Sequence, residues 1–200
     1  MSTMSRPASY HHGDLAAALV QAAIGLLEED GSADLSLRAV ARRAGVSPAA
    51  PYRHFADRDA LVSSVAAVGY RELAERLSAA SAAPTSVDDL GDIAVAYVRF
   101  ALERSGLFRA MFAERCDPAS PERAEAVAVI HDYLASVVAA AVSTSDPEAA
   151  ATAMWSLVHG LAFLHLGGKF SEASATEVDA RVRSAVRAVI EMGGLDKPDR

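Results

Sequence analysis

Residues 35–55 read LSLRAVARRAGVSPAAPYRHF, and this stretch decides the fold class. Ser36 is a good N-cap for a short helix that carries Leu37, Val40, Ala41 and Ala44 on one face. Gly45 ends that helix and supplies the φ > 0 conformation that a tight turn between two steeply crossing helices needs. Ala41 is small where the second helix crosses the first, and Val40, Val46 and Phe55 are spaced to anchor both. The next helix is expected to start after Ser47, with Pro48 at its first position, where proline forfeits no helical hydrogen bond. It is expected to end near Phe55. Ser47, Pro48, Ala49 and Ala50 make its leading end slim. Arg38, Tyr52, Arg53, His54 and Arg58 gather around the turn. A helical hairpin in a bundle would also suit the small residues and the glycine, but it has no reason to collect cations and a tyrosine there. The combination points to a helix-turn-helix that enters a DNA groove.

Working outward, the chain reads as all-α with about nine helices. Preceding the turn is a helix over 14–29 with an apolar stripe of Leu15, Leu19, Ala22 and Leu26, ended by Gly31. After the turn, Asp57 caps a helix that runs to about residue 81. Pro84 and small polar residues mark a break. Further helices are expected over 87–104, 107–114, 122–142, 147–166 and 176–192. The last carries the stripe Val178, Val182, Ala185, Val189 and Met192. The expected organisation is an arm (1–9), a helix-turn-helix unit (10–60), a connecting helix (61–81), a larger helical domain (82–194) and a tail (195–200).

The 200 residues carry a net charge of −7, which argues against a DNA partner until its distribution is examined. Residues 1–80 hold 8 Lys+Arg against 9 Asp+Glu, whereas residues 81–200 hold 11 against 17. The acid therefore lies mainly outside the turn region. Screening over about 8–10 Å leaves the cluster of Arg38, Arg42, Arg43, Arg53 and Arg58 able to act locally. Cys116 is the single cysteine, so no intrachain disulfide forms and a reducing compartment fits. The first residues lack a basic-then-apolar leader, and the longest strongly apolar runs, such as 134–142, are about half the ~18 residues that span a bilayer. A cytoplasmic protein with no membrane partner is expected.

No Gly-rich phosphate loop after a strand, no metal triad and no Ser or Cys nucleophile beside a base is legible, so an enzyme is not expected. His131, His159 and His165 lack the helical spacing for a shared metal, and no metal or cofactor is expected. Cys116 beside Arg115 and Asp117 reads as an ordinary loop thiol or a redox sensor.

Over about residues 10–65 the pattern resembles the tetracycline-repressor (TetR) family. A leading helix and a Ser before a short helix come first, then Ala-Gly-Val-Ser at 44–47. Tyr-x-His-Phe at 52–55 follows, then basic Arg58 and acidic Asp59 before Leu61. The resemblance implies that Arg38, Pro48, Ala49, Ala50 and Arg53 face base edges. It places Ser36, Ser47, Tyr52, His54 and Arg58 on the DNA backbone. Two departures stand out: Pro51 replaces the usual Leu, and Arg58 replaces the usual Lys. Trp155 to Gly160 resembles a Trp-x-x-x-His-Gly signature in the ligand domains of one subgroup, and Tyr10 to Gly13 and Leu107 to Phe112 resemble the same subgroup.

The set Tyr97, Phe100, Phe108, Met111, Phe112, Trp155, His159 and Phe163 either lines a ligand pocket or fills a core. Helices 147–166 and 176–192 either close the monomer core or form the homodimer interface that the resemblance implies, with Ala149, Ala150, Ala153 and Ala185 allowing close packing. The resemblance implies a repressor that binds a palindromic operator and is released by a small, mainly apolar effector. The alternatives are an activator of the same fold or a helical DNA-binding protein without an effector.

Overall fold

The computed structural model describes residues 12–30, 35–81, 84–170 and 174–193. Among them are eight α-helices and no strand: α1 (His12–Asp30), α2 (Leu37–Arg43), α3 (Arg58–Ala80), α4 (Val87–Glu103), α5 (Ser105–Phe112), α6 (Pro121–Ala141), α7 (Pro147–Leu166) and α8 (Ala175–Gly193). The expected Gly31 terminator, the arm and the tail lie outside the described residues.

The starts of most helices follow from local chemistry. Ser36 accepts from the Ala39 N–H, Asp57 from Ala60, Ser120 from Arg123 and Asp146 from Ala149, each satisfying an amide that the helix itself cannot. At α4, Ser86 and Asp89 form a reciprocal capping box. α5 is the exception. Arg104, at once the C-cap of α4 and the N-cap of α5, breaks the helix at φ −119° and ψ 47° and provides no side-chain cap. The amides of Gly106 and Leu107 instead donate to Glu28, at 3.0 and 3.3 Å, from the last turn of α1.

One expectation is corrected. The segment after Ser47 is not an α-helix but a turn over 47–50 followed by a single 3₁₀ turn, Pro51–Arg53. Pro51 has no N–H to give the Ser47 carbonyl, and that oxygen accepts from Ala50 at 3.0 Å instead. The chain then continues with i to i+3 bonds, Arg53 to Ala50 and His54 to Pro51.

α3 is the spine of the molecule. It packs on α1, α4, α5 and α6; α4 in turn packs on α7 and α8. One continuous core runs from Leu19 in α1 through Val65 and Leu73 in α3 to Val182 and Ile190 in α8. Three exposed pairs, Arg99–Asp179, Arg183–Asp92 and Arg187–Asp88, join α4 to α8, and solvent screening makes each a small contributor. α6 and α7 are each long and apolar enough to cross a bilayer by length and composition, with mean hydropathy 1.4 and 1.3. Unbroken apolar runs do not show this, because His131 and Asp132 interrupt α6, and Thr152, Ser156, His159 and Gly160 interrupt α7, while the average stays high.

Candidate DNA interface and effector site

The turn is built as the sequence requires. Gly45 has φ +69°. Val40, Ala41, Phe55 and Pro51 are buried, and Val46 is half-buried against the same core. These anchors leave Ser36, Arg38, Arg42, Ser47, Pro48, Ala49, Tyr52, Arg53 and His54 exposed, with Ala50 half-buried. Arg38, Arg42, Val46 and Pro48 line one open groove. Arg42 belongs to this surface although the family pattern does not single it out; the basic cluster in the sequence already contains it, one turn after Arg38 on α2. Ser36 accepts a backbone N–H at 3.2 Å, which leaves its own hydroxyl proton for another acceptor.

The five arginines of the cluster divide into two kinds. Arg38, Arg42 and Arg53 form no ion pair with any described residue. Arg43 lies across Glu29 of α1 in a two-pronged pair. Arg58 is half-buried: its Nε donates to the Leu35 carbonyl at 3.1 Å and its Nη2 to the Glu114 carboxylate at 2.8 Å.

The eight candidate effector residues split in another way. Phe100 and Phe108 are fully buried and Met111 is 2 % exposed, packed among one another and against neighbouring rings. Arg76 of α3 caps the Phe100 ring at 5.3 Å. Phe112, His159 and Phe163 are half-buried, and the His159 ring lies 4.6 Å from Phe112 and 4.9 Å from Phe163. Tyr97 and Trp155 line a cleft between α4, α6 and α7, together with Leu90, Ile93, Leu134, Val138, Met154 and Val158. Among the described residues no charged side chain lines it. Its volume is about 30 Å³, enough for little more than a water molecule.

A hydrogen-bond chain closes the inner end of this cleft. The Trp155 indole N–H donates to the Tyr97 hydroxyl at 3.3 Å. That hydroxyl lies 2.9 Å from His159 Nδ1, and with its proton given to that nitrogen the imidazole carries its own on Nε2. Burial holds His159 below its ordinary pKa, so it is neutral and able to accept; burial likewise pushes the Tyr97 phenol far up. The other histidines do different work. His131 stacks edge-on against Trp155 at 4.7 Å, and His165 lies between Phe170 and Arg181. A Cβ at Gly160 would meet no described atom within 4 Å. Cys116 is half-buried, and burial pushes its thiol up, away from the reactive thiolate.

Residues 19–65 match the family described as bacterial regulatory proteins, tetR family. Residues 90–189, half of the chain, match the tetracyclin repressor-like C-terminal domain. None of the curated proteins matches the chain. Among solved structures it is similar to a protein of unknown function from Rhodococcus sp. RHA1, at 33 % identity over 96 % of this chain and all of the other, with a TM-score of 0.76. It is also similar to a transcriptional regulator from Rhodococcus sp. Rha1, at 24 % identity over 92 % and 99 % of the two chains, TM-score 0.72. A regulatory protein in the tetR family from Rhodococcus RHA1 is similar at 22 % identity over 87 % and 96 %, TM-score 0.67. The last two share the fold.

Proposed function

The chain belongs to the tetracycline-repressor family of bacterial transcription regulators, and from that premise we propose that it is a cytoplasmic homodimeric repressor, released from a palindromic operator by a small, mainly apolar effector. It is a DNA-binding regulator and not an enzyme. The observation that carries the reading of the interface is the exposure of Arg38, Arg42 and Arg53, unpaired with any described carboxylate, around a slim turn. Charge left unpaired on one face is available to phosphates and to guanine edges. In this reading Arg38, Arg53, Pro48, Ala49 and Ala50 meet bases. Ser36, Ser47, Tyr52, His54 and Arg42 meet the backbone, and Arg58 stands beside them.

The dimer reading is supported by α7. It is as apolar as a bilayer-spanning helix, yet only 17 % of its most apolar stretch is buried. Ala153, Ser156, Gly160 and Leu164 lie on its uncovered side, and Ala180, Ser184, Ala188 and Met192 on that of α8. A second copy packed on both faces would remove them from water and set two reading heads on one duplex.

The effector reading is supported by the uncharged lining of the α4–α6–α7 cleft. Its small volume means that an effector enters by parting α6 from α7, and α6 also packs on α3. An uncharged hydrocarbon body with one hydrogen-bonding group, met by Trp155, Tyr97 or His159, suits such a lining.

Selection of bound duplexes from a random pool tests the central claim. Recovered sites with two-fold symmetry and half-sites about 34–36 Å apart are expected. Recovery of asymmetric or unrelated sequences would refute it. Trp155, the single tryptophan, reports the effector site: uncharged long-chain esters should shift its fluorescence saturably and lower operator affinity, whereas the matching carboxylates should do neither.

A further inference from the structure

Arg58 stands where α3 leaves the reading turn, and described residues hold it from two sides. The Leu35 carbonyl, just before α2, takes its Nε proton, and Glu114, just beyond α5, takes one from Nη2. The two side chains are 32 % and 19 % exposed. The loop that presents Glu114 is itself fixed to the first turns of α3. The Asp117 amide donates to Ser63 Oγ at 2.8 Å, and the Ser63 hydroxyl donates to the Asp59 carbonyl at 2.9 Å. Glu114 is therefore a built neighbour of the DNA-reading unit, although it lies 56 positions from Arg58 in the sequence.

A guanidinium paired with a carboxylate offers little net charge to a phosphate, and the carboxylate itself repels one. We propose that Glu114 sets DNA affinity by competing with the DNA backbone for Arg58. This rests on the reading of the turn as a DNA interface. In the described arrangement Arg58 belongs to Glu114, and the reading head binds through its other cations. When Glu114 withdraws, Arg58 becomes an additional phosphate contact, and every duplex is bound more tightly whatever its sequence. Glu114 follows directly on α5, whose Phe108 and Phe112 rings pack on His159. The position of α5 against that cluster thus fixes the reach of the carboxylate.

The test is a salt titration of binding by the full-length protein to a selected duplex and to its scrambled counterpart. Glu114→Gln keeps an acceptor for Nη2 and removes the charge. It should bind both duplexes severalfold more tightly at low salt, with the slope of log K against log salt steeper by about 0.9 for each reading head, the signature of one added phosphate contact. Arg58→Ala combined with Glu114→Gln should erase the gain that Glu114→Gln gives alone. Glu114→Ala, which removes acceptor and charge together, should match Glu114→Gln and guards against a local effect of the glutamine. Unchanged or weaker binding by both Glu114 variants, with the parent binding normally, overturns the competition and makes Glu114 a support for Arg58. A parent protein that binds no duplex at low salt removes the DNA reading itself, and the competition with it.

Discussion

Arg38, Arg42 and Arg53 lie on one exposed surface, and a duplex would use them differently. Arg53 follows the slim Pro48–Ala49–Ala50 edge, which has few hydrogen-bonding groups of its own. Arg53→Ala is therefore expected to cost about 1–3 kcal/mol of discrimination between selected and scrambled duplexes, read by fluorescence anisotropy on both. Arg42→Ala should weaken both duplexes alike and flatten the salt slope by about 0.9 per head. Equal losses for Arg53→Ala on the two duplexes would exchange these roles. At the inner site, Tyr97 satisfies Trp155 and His159 at once. Tyr97→Phe strands both partners and should lower unfolding free energy by about 1–3 kcal/mol in urea denaturation. Because burial holds the folded pKa of His159 below the unfolded value near 6.5, its contribution is present above that value. It is lost as pH falls toward the folded value, since imidazolium Nδ1 cannot accept the Tyr97 proton. Trp155 emission should therefore change as pH falls below about 6.5 in the parent protein, and the change should be smaller in His159→Gln.

The short helix α5 depends on its surroundings more than any other element. Its first amides are capped by Glu28 of α1, the Tyr70 hydroxyl of α3 donates to its Met111 carbonyl at 3.4 Å, and Glu114 beyond its end holds Arg58. Gly106 makes the first of these contacts geometrically possible, since a Cβ there would overlap the Leu27 carbonyl of α1. Gly106→Ala should push α5 off α1 and cost about 1–3 kcal/mol, seen as a lowered thermal midpoint. A midpoint equal to that of the parent would show that the two helices are not in firm contact. The amphipathic stripes and the Ser and Asp caps made most helix bounds legible in advance. The sequence pattern starts α5 two residues late because its cap comes from α1, 78 positions away, where no local pattern can show it. The recognition segment was read as an α-helix because Pro48 suits a helix start, and the second proline then took away the bond that would have continued it.

At the scale of the whole molecule, the reading unit and the aromatic cluster meet through α3, α5 and the loop at Glu114, so a change in the spacing of α6 and α7 has a continuous path to the turn. The uncovered faces of α7 and α8 give the complementary prediction. Analytical ultracentrifugation should find a particle of twice the 20.9 kDa chain mass. Gly160→Arg, placed where a Cβ meets no described atom, should leave the monomer folded by circular dichroism and split the dimer. Operator affinity should then fall by about 10²–10⁴, the contribution of tethering two heads. A folded variant that stays dimeric would move the interface elsewhere.

The sequence by itself determined the helical class, the turn at Gly45 and the surface of Ser36, Arg38, Tyr52, Arg53 and His54, because caps, periodicity and turn geometry act within a few residues. It could not say which arginines were already paired, whether the aromatic residues enclosed space or filled it, or what capped α5. Those outcomes depend on side chains brought together from distant parts of the chain. Arg43 meets Glu29 and Arg58 meets Glu114 only once α1, α3 and α5 are packed. Likewise, Phe100 and Phe108 are sealed only when α4 and α5 close on each other and on the helices around them. Tertiary packing thus turned one basic cluster into three exposed arginines and two paired ones, because a charge is spent wherever the fold first supplies it with a partner.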